Sequence, residues 1–177
     1  MLSPTPAEVL RHAPKLALAY SHPRNAPLLG QTGPATVPDV VEHYELLAAE
    51  GAQAFVLLRD GELVGDADLR GIAEDAAEFA FLIADPSTQG QGLGTRFAVM
   101  VHAFAFRTLG LATVYAAIVP TNLASRRVFE KLGYRVDTSP AARERADAAD
   151  DVTLSLARPE FERAFSAELA AITIGSR

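Results

Sequence analysis

An α+β fold with a mixed, mostly antiparallel sheet is predicted by two features of this 177-residue sequence. The first is a hairpin, in which two β-rich runs at 53–59 and 62–69 meet at Asp60-Gly61, a pair that favours a two-residue turn. The second is the order of the later elements, because strands alternate with helices after the hairpin and two short strands follow. A chain of this length can bury one apolar core, so we predict a single domain with about six or seven strands flanked by helices.

Two helices are predicted before the hairpin. Thr5-Pro6-Ala7-Glu8 has the form of a capping box with proline at the first helical position, and we expect this helix to stop before Pro14. The same signal recurs at 36–39, where a helix with an apolar stripe begins and Gly51 ends it. Because prolines concentrate here, we predict that residues 1–52 form a variable region in which specificity resides.

After the hairpin the sequence predicts a strand and a buried helix. The segment EFAFLIAD, residues 78–85, alternates a bulky face with a lighter one that carries Glu78. We expect the bulky face to pack on a helix. From Thr95 to Leu109 the sequence is apolar nearly all round, which is typical of a buried helix, and Gly110 is its cap.

A second strand and helix pair follows. The strand at 112–119 leads into a helix that Thr121 or Asn122 opens and Gly133 ends. Apolar residues on one face of this helix predict that it packs against the rest of the domain.

The last part of the chain mixes short strands, a polar stretch and a helix. Strands are predicted at 133–137 and 151–156, separated by the stretch 137–150, which lacks apolar anchors and which we therefore expect to be mobile. The C-terminal extension, 157–177, spaces four apolar residues on one helical face: Phe161, Phe165, Leu169 and Ile172. This helix either packs on the domain or meets a partner subunit, which would make the protein a homodimer.

Composition narrows the classes of function. The absence of cysteine excludes disulfides, thiolate metal sites and a cysteine nucleophile, and it fits a cytoplasmic protein. The net charge is −6, and the lysines are Lys15 and Lys131. We therefore expect neither nucleic acid nor a membrane surface as a partner.

The stretch Gln89–Thr95, QGQGLGT, is the strongest candidate for a binding loop. A dinucleotide fingerprint would need glycine where Thr95 stands, and a Walker loop would need a lysine after Gly94, so both alternatives fail on spacing. A flexible linker remains as an alternative. We favour an anion site at a helix N-terminus, where successive backbone N–H groups and the helix dipole suit a pyrophosphate.

Two motifs together resemble a known family. Gln89-Gly90-Gln91-Gly92-Leu93-Gly94 is similar to the Q/R-x-x-G-x-G/A signature of the GNAT superfamily of acyl-CoA-dependent N-acetyltransferases, and the segment 122–134 resembles the second motif of that family. The two motifs span about residues 78–137. The Asn-x-x-Ser form of the second motif looks most like the branch that acetylates ribosomal-protein N-termini and a range of small amines.

The resemblance implies a GNAT fold with its core at 53–156, in which two splayed central strands hold acyl-CoA. By this resemblance Leu82, Ile83 and Ala84 supply main-chain groups to pantetheine. The pyrophosphate would be wrapped by the residues of the glycine loop, Gln89, Gly90, Gln91, Gly92, Leu93, Gly94 and Thr95. Asn122 looks like the family residue that contacts the cofactor near its sulfur, and it also suits an ordinary helix cap.

Glu78 is the predicted general base. An alkyl amine has a pKa near ~10.4, so a base or a water chain must take its proton at neutral pH. The interval from Glu78 to the glycine loop resembles that of the general-base glutamate in several GNAT enzymes, with Glu74 and Asp75 as alternatives. The oxyanion would be held by strand backbone N–H groups near Leu82.

The general acid is where the sequence departs from the family pattern. Many GNAT enzymes have tyrosine at the place of Phe129, which cannot donate a proton but by the same resemblance lies with the residues that contact the cofactor. Ser125 is the predicted substitute, Tyr115 and Tyr134 are weaker candidates, and water is a further alternative.

The histidines are expected to have no metal or catalytic role. His102 interrupts an apolar helix, which is typical of a satisfied core histidine. Acidic residues do not stand at metal-ligand spacing from His12, His22 or His43, so we predict no metal site.

The leading hypothesis is an acetyl-CoA-dependent N-acetyltransferase. It would move an acetyl group to a primary amine, either a protein N-terminus or a small amine, by direct attack in a ternary complex, since no cysteine can carry the acyl group. Phe129 favours an alternative from another class, a catalytically silent module that binds or senses acyl-CoA. Rossmann-type nucleotide binding is a third hypothesis. The acceptor itself is not identified by the sequence.

Overall fold

A computed structural model describes residues 1–29, 33–146 and 148–175. In chain order the elements are α1 (Pro6–Tyr20), a 3₁₀ turn (Ala26–Leu29), α2 (Val37–Ala49), β1 (Gln53–Arg59), β2 (Glu62–Ala73), β3 (Ala76–Ile83), a 3₁₀ turn (Pro86–Thr88), α3 (Leu93–Arg107), β4 (Thr113–Ile118), α4 (Leu123–Leu132), β5 (Arg135–Val136), α5 (Pro140–Arg143), β6 (Val152–Ala157), α6 (Arg158–Ala164) and α7 (Ser166–Ala171). The described helices are too short or too polar to cross a membrane.

The six strands form one mixed sheet in the order β1-β2-β3-β4-β6-β5. All neighbours are antiparallel except β3 and β4, which are parallel. The predicted α+β class and the mostly antiparallel sheet are confirmed.

The predicted hairpin is confirmed at its turn. Asp60 and Gly61 both have positive φ, 54° and 82°, the conformation of a type I′ turn whose twist matches that of the flanking strands. The strand β2 runs on to Ala73, beyond the predicted end at residue 69, and the chain turns at Glu74-Asp75.

Helices cover both faces of the sheet. Phe79 and Ile83 of β3 lie in a large core with α3, as the bulky face of that strand predicted. The opposite face packs on α1 and α2 through a second core that contains Leu16, Val40 and Val56. The sheet therefore separates the N-terminal helices from the helices that follow β3.

The expectation that the first helix stops before Pro14 is wrong. Pro14 lies inside α1, which continues to Tyr20. A proline in a helix interior costs about 3 kcal/mol, because one backbone hydrogen bond is lost and the ring crowds the preceding turn. The helix continues because Leu16 and Tyr20, both beyond the proline, are buried in the second core.

The expectation that nothing anchors the stretch 137–150 is also wrong. Its residues form α5, and Ala142 is fully buried. The guanidinium of Arg145 stacks 4.9 Å from the ring centroid of Tyr115 and donates to the Gly71 carbonyl. Such anchors escape a search for large apolar residues. Asp147 lies outside the described residues.

The C-terminal extension packs on the domain. It forms two short helices, α6 and α7, that meet at Phe165, and Phe161 and Leu169 are buried in the larger core. Arg107 of α3 ties α7 to the domain by donating to the Leu169 carbonyl at 2.8 Å. A role in dimerisation stays a prediction.

His102 is confirmed as a satisfied core histidine. Its Nδ1 lies 2.7 Å from the Ala98 carbonyl oxygen and its Nε2 lies 2.6 Å from the Tyr134 hydroxyl. A carbonyl only accepts, so Nδ1 carries the hydrogen and Nε2 accepts from Tyr134. Burial lowers the pKa of His102 to about 4, which keeps the ring neutral at neutral pH.

Replacement of Gly65 by alanine should destabilise the protein by about 3 kcal/mol or more. A Cβ at Gly65 would lie 2.0 Å from the Leu82 carbonyl oxygen, so β2 and β3 would have to move apart. Urea denaturation of Gly65→Ala and wild type would measure the difference. The matched control is Gly33→Ala, whose Cβ meets no atom within 4 Å. Equal unfolding free energies for the two variants would contradict the prediction.

Candidate functional site

The central strands separate soon after they meet. Within the described chain, β3 pairs with β4 only from Ala76 to Glu78, opposite Thr113 to Tyr115. The remainder of β3, as far as Ile83, pairs with β2 alone. A gap therefore opens in the sheet between the second half of β3 and the second half of β4.

Two cavities meet at this gap. The first, which we name the glycine-loop cleft, has a volume of about 290 Å³ and lies between the loop 88–95 and α4. The second, which we name the sheet-face cavity, has a volume of about 620 Å³ and reaches β2, α1 and α2. Six residues line both cavities and define their junction: Leu28, Leu29, Phe81, Leu82, Asn122 and Ser125.

The glycines of the loop serve two different needs. Gly90 and Gly92 have φ of 82° and 80°, a region that glycine occupies at no steric cost. Gly94 lies in the first turn of α3, where a Cβ would stand 3.1 Å from the Phe81 ring. Gly92 and Gly90 thus shape the loop, and Gly94 lets α3 approach β3 closely.

The N-terminus of α3 opens into the glycine-loop cleft. Gly92 is its N-cap and supplies no side-chain cap, so the first backbone N–H groups of the helix are open to another acceptor. Together with the helix dipole they form a site for an anion. A pyrophosphate fits this chemistry, since a Cβ at Gly90 or Gly92 would meet no atom within 4 Å and the loop surface is open.

The structure divides the predicted loop residues into two groups. Those that line the cleft are Gln89, Gly90, Gly92, Gly94 and Thr95. Gln91 and Leu93 lie elsewhere, because Gln91 bonds to the Ser87 carbonyl and Leu93 is buried in the larger core.

The side chain of Gln89 has a structural role. Its Nε2 donates to the Ile83 carbonyl at 3.1 Å and to Asn25 Oδ1 at 3.2 Å. Asn25, which sequence reasoning missed, is almost fully buried and donates in turn to the Ala84 carbonyl. These bonds fix the glycine loop to the end of β3.

The hydrogen-bond register of β3 decides which main-chain groups face the gap. The Ala84 N–H donates to the Val64 carbonyl of β2, and Leu82 pairs with Asp66 of the same strand. In an antiparallel ladder, alternate residues direct their main-chain groups to the same neighbour. Leu82 and Ala84 therefore bond to β2, whereas Phe81 and Ile83 direct their groups towards the gap. Counting along the hairpin register could have identified Phe81.

The start of α4 places three predicted residues at the site. Asn122 caps the helix, since its Oδ1 accepts the Ser125 N–H at 3.0 Å. Asn122 and Ser125 also line both cavities. Phe129, one turn further on, is buried among the rings of Phe79, Phe81 and Tyr134 and forms an apolar wall of the sheet-face cavity.

Glu78 lies apart from this junction. It is buried and accepts a hydrogen bond from Arg70 at 2.8 Å, in the part of β3 that still pairs with β4. The described residues that line the two cavities do not include Glu78, Glu74 or Asp75. The structure thus brings Ser125 and Asn122 together and leaves Glu78 outside.

A polar row on β2 was missed by the sequence analysis. Asp66, Asp68 and Arg70 occupy alternate positions and line the sheet-face cavity. Asp66 accepts hydrogen bonds at the same oxygen, Oδ2, from the phenols of Tyr20 and Tyr44, the latter at 3.4 Å. Burial raises the pKa of Asp66 to about 6, and the phenol hydrogen bonds oppose this rise. The alternation in GDADLR is the signal that could have identified the row.

Two cations line the glycine-loop cleft. Arg127 and Lys131 are four residues apart on α4 and therefore share a face of the helix. Arg126, which points elsewhere, pairs with Glu130 at 3.2 Å. The described residues contain no cluster of histidine and acidic side chains that could hold a metal ion.

Comparison with known proteins gives partial sequence matches and whole-domain structural matches. The chain is 32% identical to the spermidine N(1)-acetyltransferase of Escherichia coli (strain K12) over 90 residues, which cover 50% of this chain and 48% of that protein. It spans about half the length of the curated relatives it matches.

Solved structures share the fold. RimJ of Mycobacterium smegmatis in complex with CoA-disulfide is 21% identical, with a TM-score of 0.72, and the match covers 90% of this chain and 85% of that one. Aminoglycoside acetyltransferase AAC(6′)-Ib in complex with coenzyme A is 22% identical, with a TM-score of 0.72 over 87% of this chain and 94% of that one. At these identities the likeness establishes the fold alone.

The match to a family model covers most of the chain. The model described as an acetyltransferase (GNAT) domain matches residues 6–135, which include the glycine loop, the strands β2, β3 and β4 and the helix α4. This chain therefore belongs to the GNAT acetyltransferase family.

Proposed function

We propose that this protein is an acetyl-CoA-dependent N-acetyltransferase that acts on a primary amine by direct attack in a ternary complex. The observation that carries the proposal is the junction of two cavities at the gap between β3 and β4. One cavity suits the phosphates of a cofactor, the other suits an acceptor, and the two reactants can meet at their junction. Family membership and CoA in the named structural neighbours support the same cosubstrate.

Acetyl-CoA would supply a thioester carbonyl at this junction. The N-terminus of α3 would hold the pyrophosphate, with Gln89, Gly90, Gly92, Gly94 and Thr95 around it. The backbone groups of Phe81 and the N–H of Ile83 would bond to the pantetheine arm in the gap. In this assignment Leu82 contributes its side chain to the junction rather than its main chain.

The residues at the junction suit the acyl transfer. The amine nitrogen attacks the thioester carbon, the C–N bond forms, the C–S bond breaks, and one proton passes from nitrogen to the departing thiolate. A backbone N–H of β3 would stabilise the oxyanion. Ser125 would pass the proton to the sulfur, because Phe129 has no proton to give.

The lining of the sheet-face cavity favours a cationic acceptor. Its carboxylates outnumber its cation, with Asp39, Asp66, Asp68 and Asp151 against Arg70. An alkyl ammonium is attracted by such a surface. A polyamine or an amino sugar therefore suits the cavity better than an acidic acceptor.

Release of CoA from acetyl-CoA with a panel of amines tests this function. Spermidine, kanamycin and a dipeptide with a free N-terminus would be compared, with free thiol as the readout. We expect at least one of them to accelerate CoA release by tenfold or more. Binding of acetyl-CoA with no release for any amine would favour the silent binding module instead.

Acetyl-CoA should raise the melting temperature, while NAD and ATP should not. Ligand at a hundredfold excess over its Kd adds about 2.7 kcal/mol to the unfolding free energy. Gly92→Val should abolish the increase, because valine is strained at a φ of 80° and the loop must change shape.

The matched control for this variant is Gly110→Val. Gly110 also has positive φ, 74°, and open space for a Cβ, but it follows the far end of α3. This variant should lose similar stability yet keep the acetyl-CoA effect. Full protection of Gly92→Val by acetyl-CoA would refute the pyrophosphate assignment.

Arg127 and Lys131 should bind the 3′-phosphate of CoA. Replacing both with alanine should raise the Kd for CoA about tenfold, which corresponds to roughly 1.4 kcal/mol, and leave the Kd for 3′-dephospho-CoA unchanged. Calorimetric titration with the two ligands measures the difference. Arg126→Ala is the control, since its guanidinium pairs with Glu130. Equal weakening for both ligands would contradict the prediction.

A further inference from the structure

A buried polar cluster joins the N-terminal helices to the sheet. The cluster consists of Tyr20 of α1, Tyr44 of α2 and Asp66 of β2, and all three side chains are buried. The residues come from three distant parts of the sequence. All three lie outside the glycine-loop motif and the α4 motif.

The register of the sheet places Asp66 next to the junction of the cavities. Asp66 pairs with Leu82 of β3, and directly opposed residues of neighbouring strands project from the same face. Leu82 lines both cavities, and Asp66 lines the sheet-face cavity. The carboxylate therefore borders the acceptor side of the place where the two cavities meet.

The two phenols orient this carboxylate. Both Tyr20 and Tyr44 donate to Oδ2, and in the described chain neither of these bonds involves Oδ1. A carboxylate has lone pairs on both oxygens and accepts further donors at the second one. The carboxylate also accepts a hydrogen bond from the backbone N–H of Asp66 itself. The two tyrosines thus fix Oδ2, and the carboxylate still has lone pairs for a donor in the cavity.

We propose that Asp66 binds the ammonium group of the acceptor and takes its proton, with Tyr20 as the residue that positions the carboxylate. The assignment rests on the proposed acetyltransferase function. An N–H bond of the ammonium breaks, an O–H bond forms on Asp66, and the electron pair stays on nitrogen for the attack. The proton then passes from Asp66 to water, which regenerates the carboxylate.

The surroundings of Asp66 suit a base near neutral pH. Titratable and charged groups surround it on α1 (Tyr20), on α2 (Tyr44, and His43 against both phenol rings) and on its own strand (Asp68 and Arg70, which line the same cavity). Its partners on β1 and β3 are the apolar Val56 and Leu82. Burial lowers the pKa of His43, which is therefore neutral at neutral pH.

This environment sets the pH range in which the base works. Burial raises the pKa of Asp66 to about 6. The carboxylate is therefore mostly ionised at pH 7 and protonated, hence unable to accept, below pH 6. A base whose pKa lies near the operating pH transfers protons efficiently.

Glu78 is the competing carboxylate. It is bonded to Arg70 at 2.8 Å and does not line the sheet-face cavity, whereas Asp66 does. An arginine at this distance competes with an ammonium for the carboxylate. The geometry favours Asp66 for the proton transfer.

The test is the pH profile of kcat/KM, measured with whichever of spermidine, kanamycin and the dipeptide releases CoA. In the wild type we expect an acidic limb with an apparent pKa near 6. In Asp66→Asn, kcat should fall about a hundredfold and the limb should disappear, while the Kd for acetyl-CoA stays within threefold.

A second pair of variants tests the positioning role. Tyr20→Phe removes a hydrogen bond that favours the ionised carboxylate and so raises the pKa of Asp66. The acidic limb of the kcat/KM profile of this variant should therefore move to higher pH, while kcat/KM above the limb stays within about threefold of the wild type. Tyr44→Phe is the matched control, because its longer bond should give a smaller displacement. These profiles decide the question even if Asp66→Asn does not fold.

Charge and alternative bases are controlled separately. Asp68→Asn makes the same charge change in the same cavity; it should raise KM but retain the acidic limb of the pH profile. Glu78→Gln should also retain the acidic limb. A limb that persists in Asp66→Asn, does not move in Tyr20→Phe, or disappears in Glu78→Gln would overturn the assignment. A wild type that acetylates no amine would contradict the proposed function and this assignment with it.

Discussion

The early separation of β3 from β4 is the feature on which the rest of the site depends. Parallel pairing stops after Glu78 and Tyr115, so the main-chain groups of Phe81 and Ile83 are directed towards a gap instead of a neighbouring strand. Buried backbone groups need partners, and an extended ligand chain can supply them. The opening also connects the two faces of the sheet, which a fully paired sheet would keep apart.

The two faces differ in charge. On the side of the glycine loop, the N-terminus of α3 and the cations Arg127 and Lys131 favour an anion. On the side of α1 and α2, carboxylates of β2 line the cavity. The chain as a whole is acidic, with a net charge of −6, so the positive charge at this cleft is a local feature. These local charges favour an anion on one side of the junction and a cation on the other.

Much of the fold could be predicted from the sequence, because the decisive signals are local. The Asp60-Gly61 turn, the cap at Asn122 and the apolar helix that ends before Gly110 each depend on residues within a few positions of one another. Pro14 shows the limit of this reasoning. Its local cost is real, yet the burial of Leu16 and Tyr20 against distant strands outweighs it.

The sequence by itself determined the family motifs, the glycine loop and the residues at the start of α4, since each is a contiguous pattern. Only the tertiary structure decided that the main-chain groups of Phe81, rather than those of Leu82, are directed towards the gap, because that depends on strand register. It also decided that Glu78 pairs with Arg70 outside the cavities, and that Asp66 meets Tyr20 and Tyr44 beside the junction. Contacts between residues far apart in the chain are set by how helices and strands pack, and no local pattern records them.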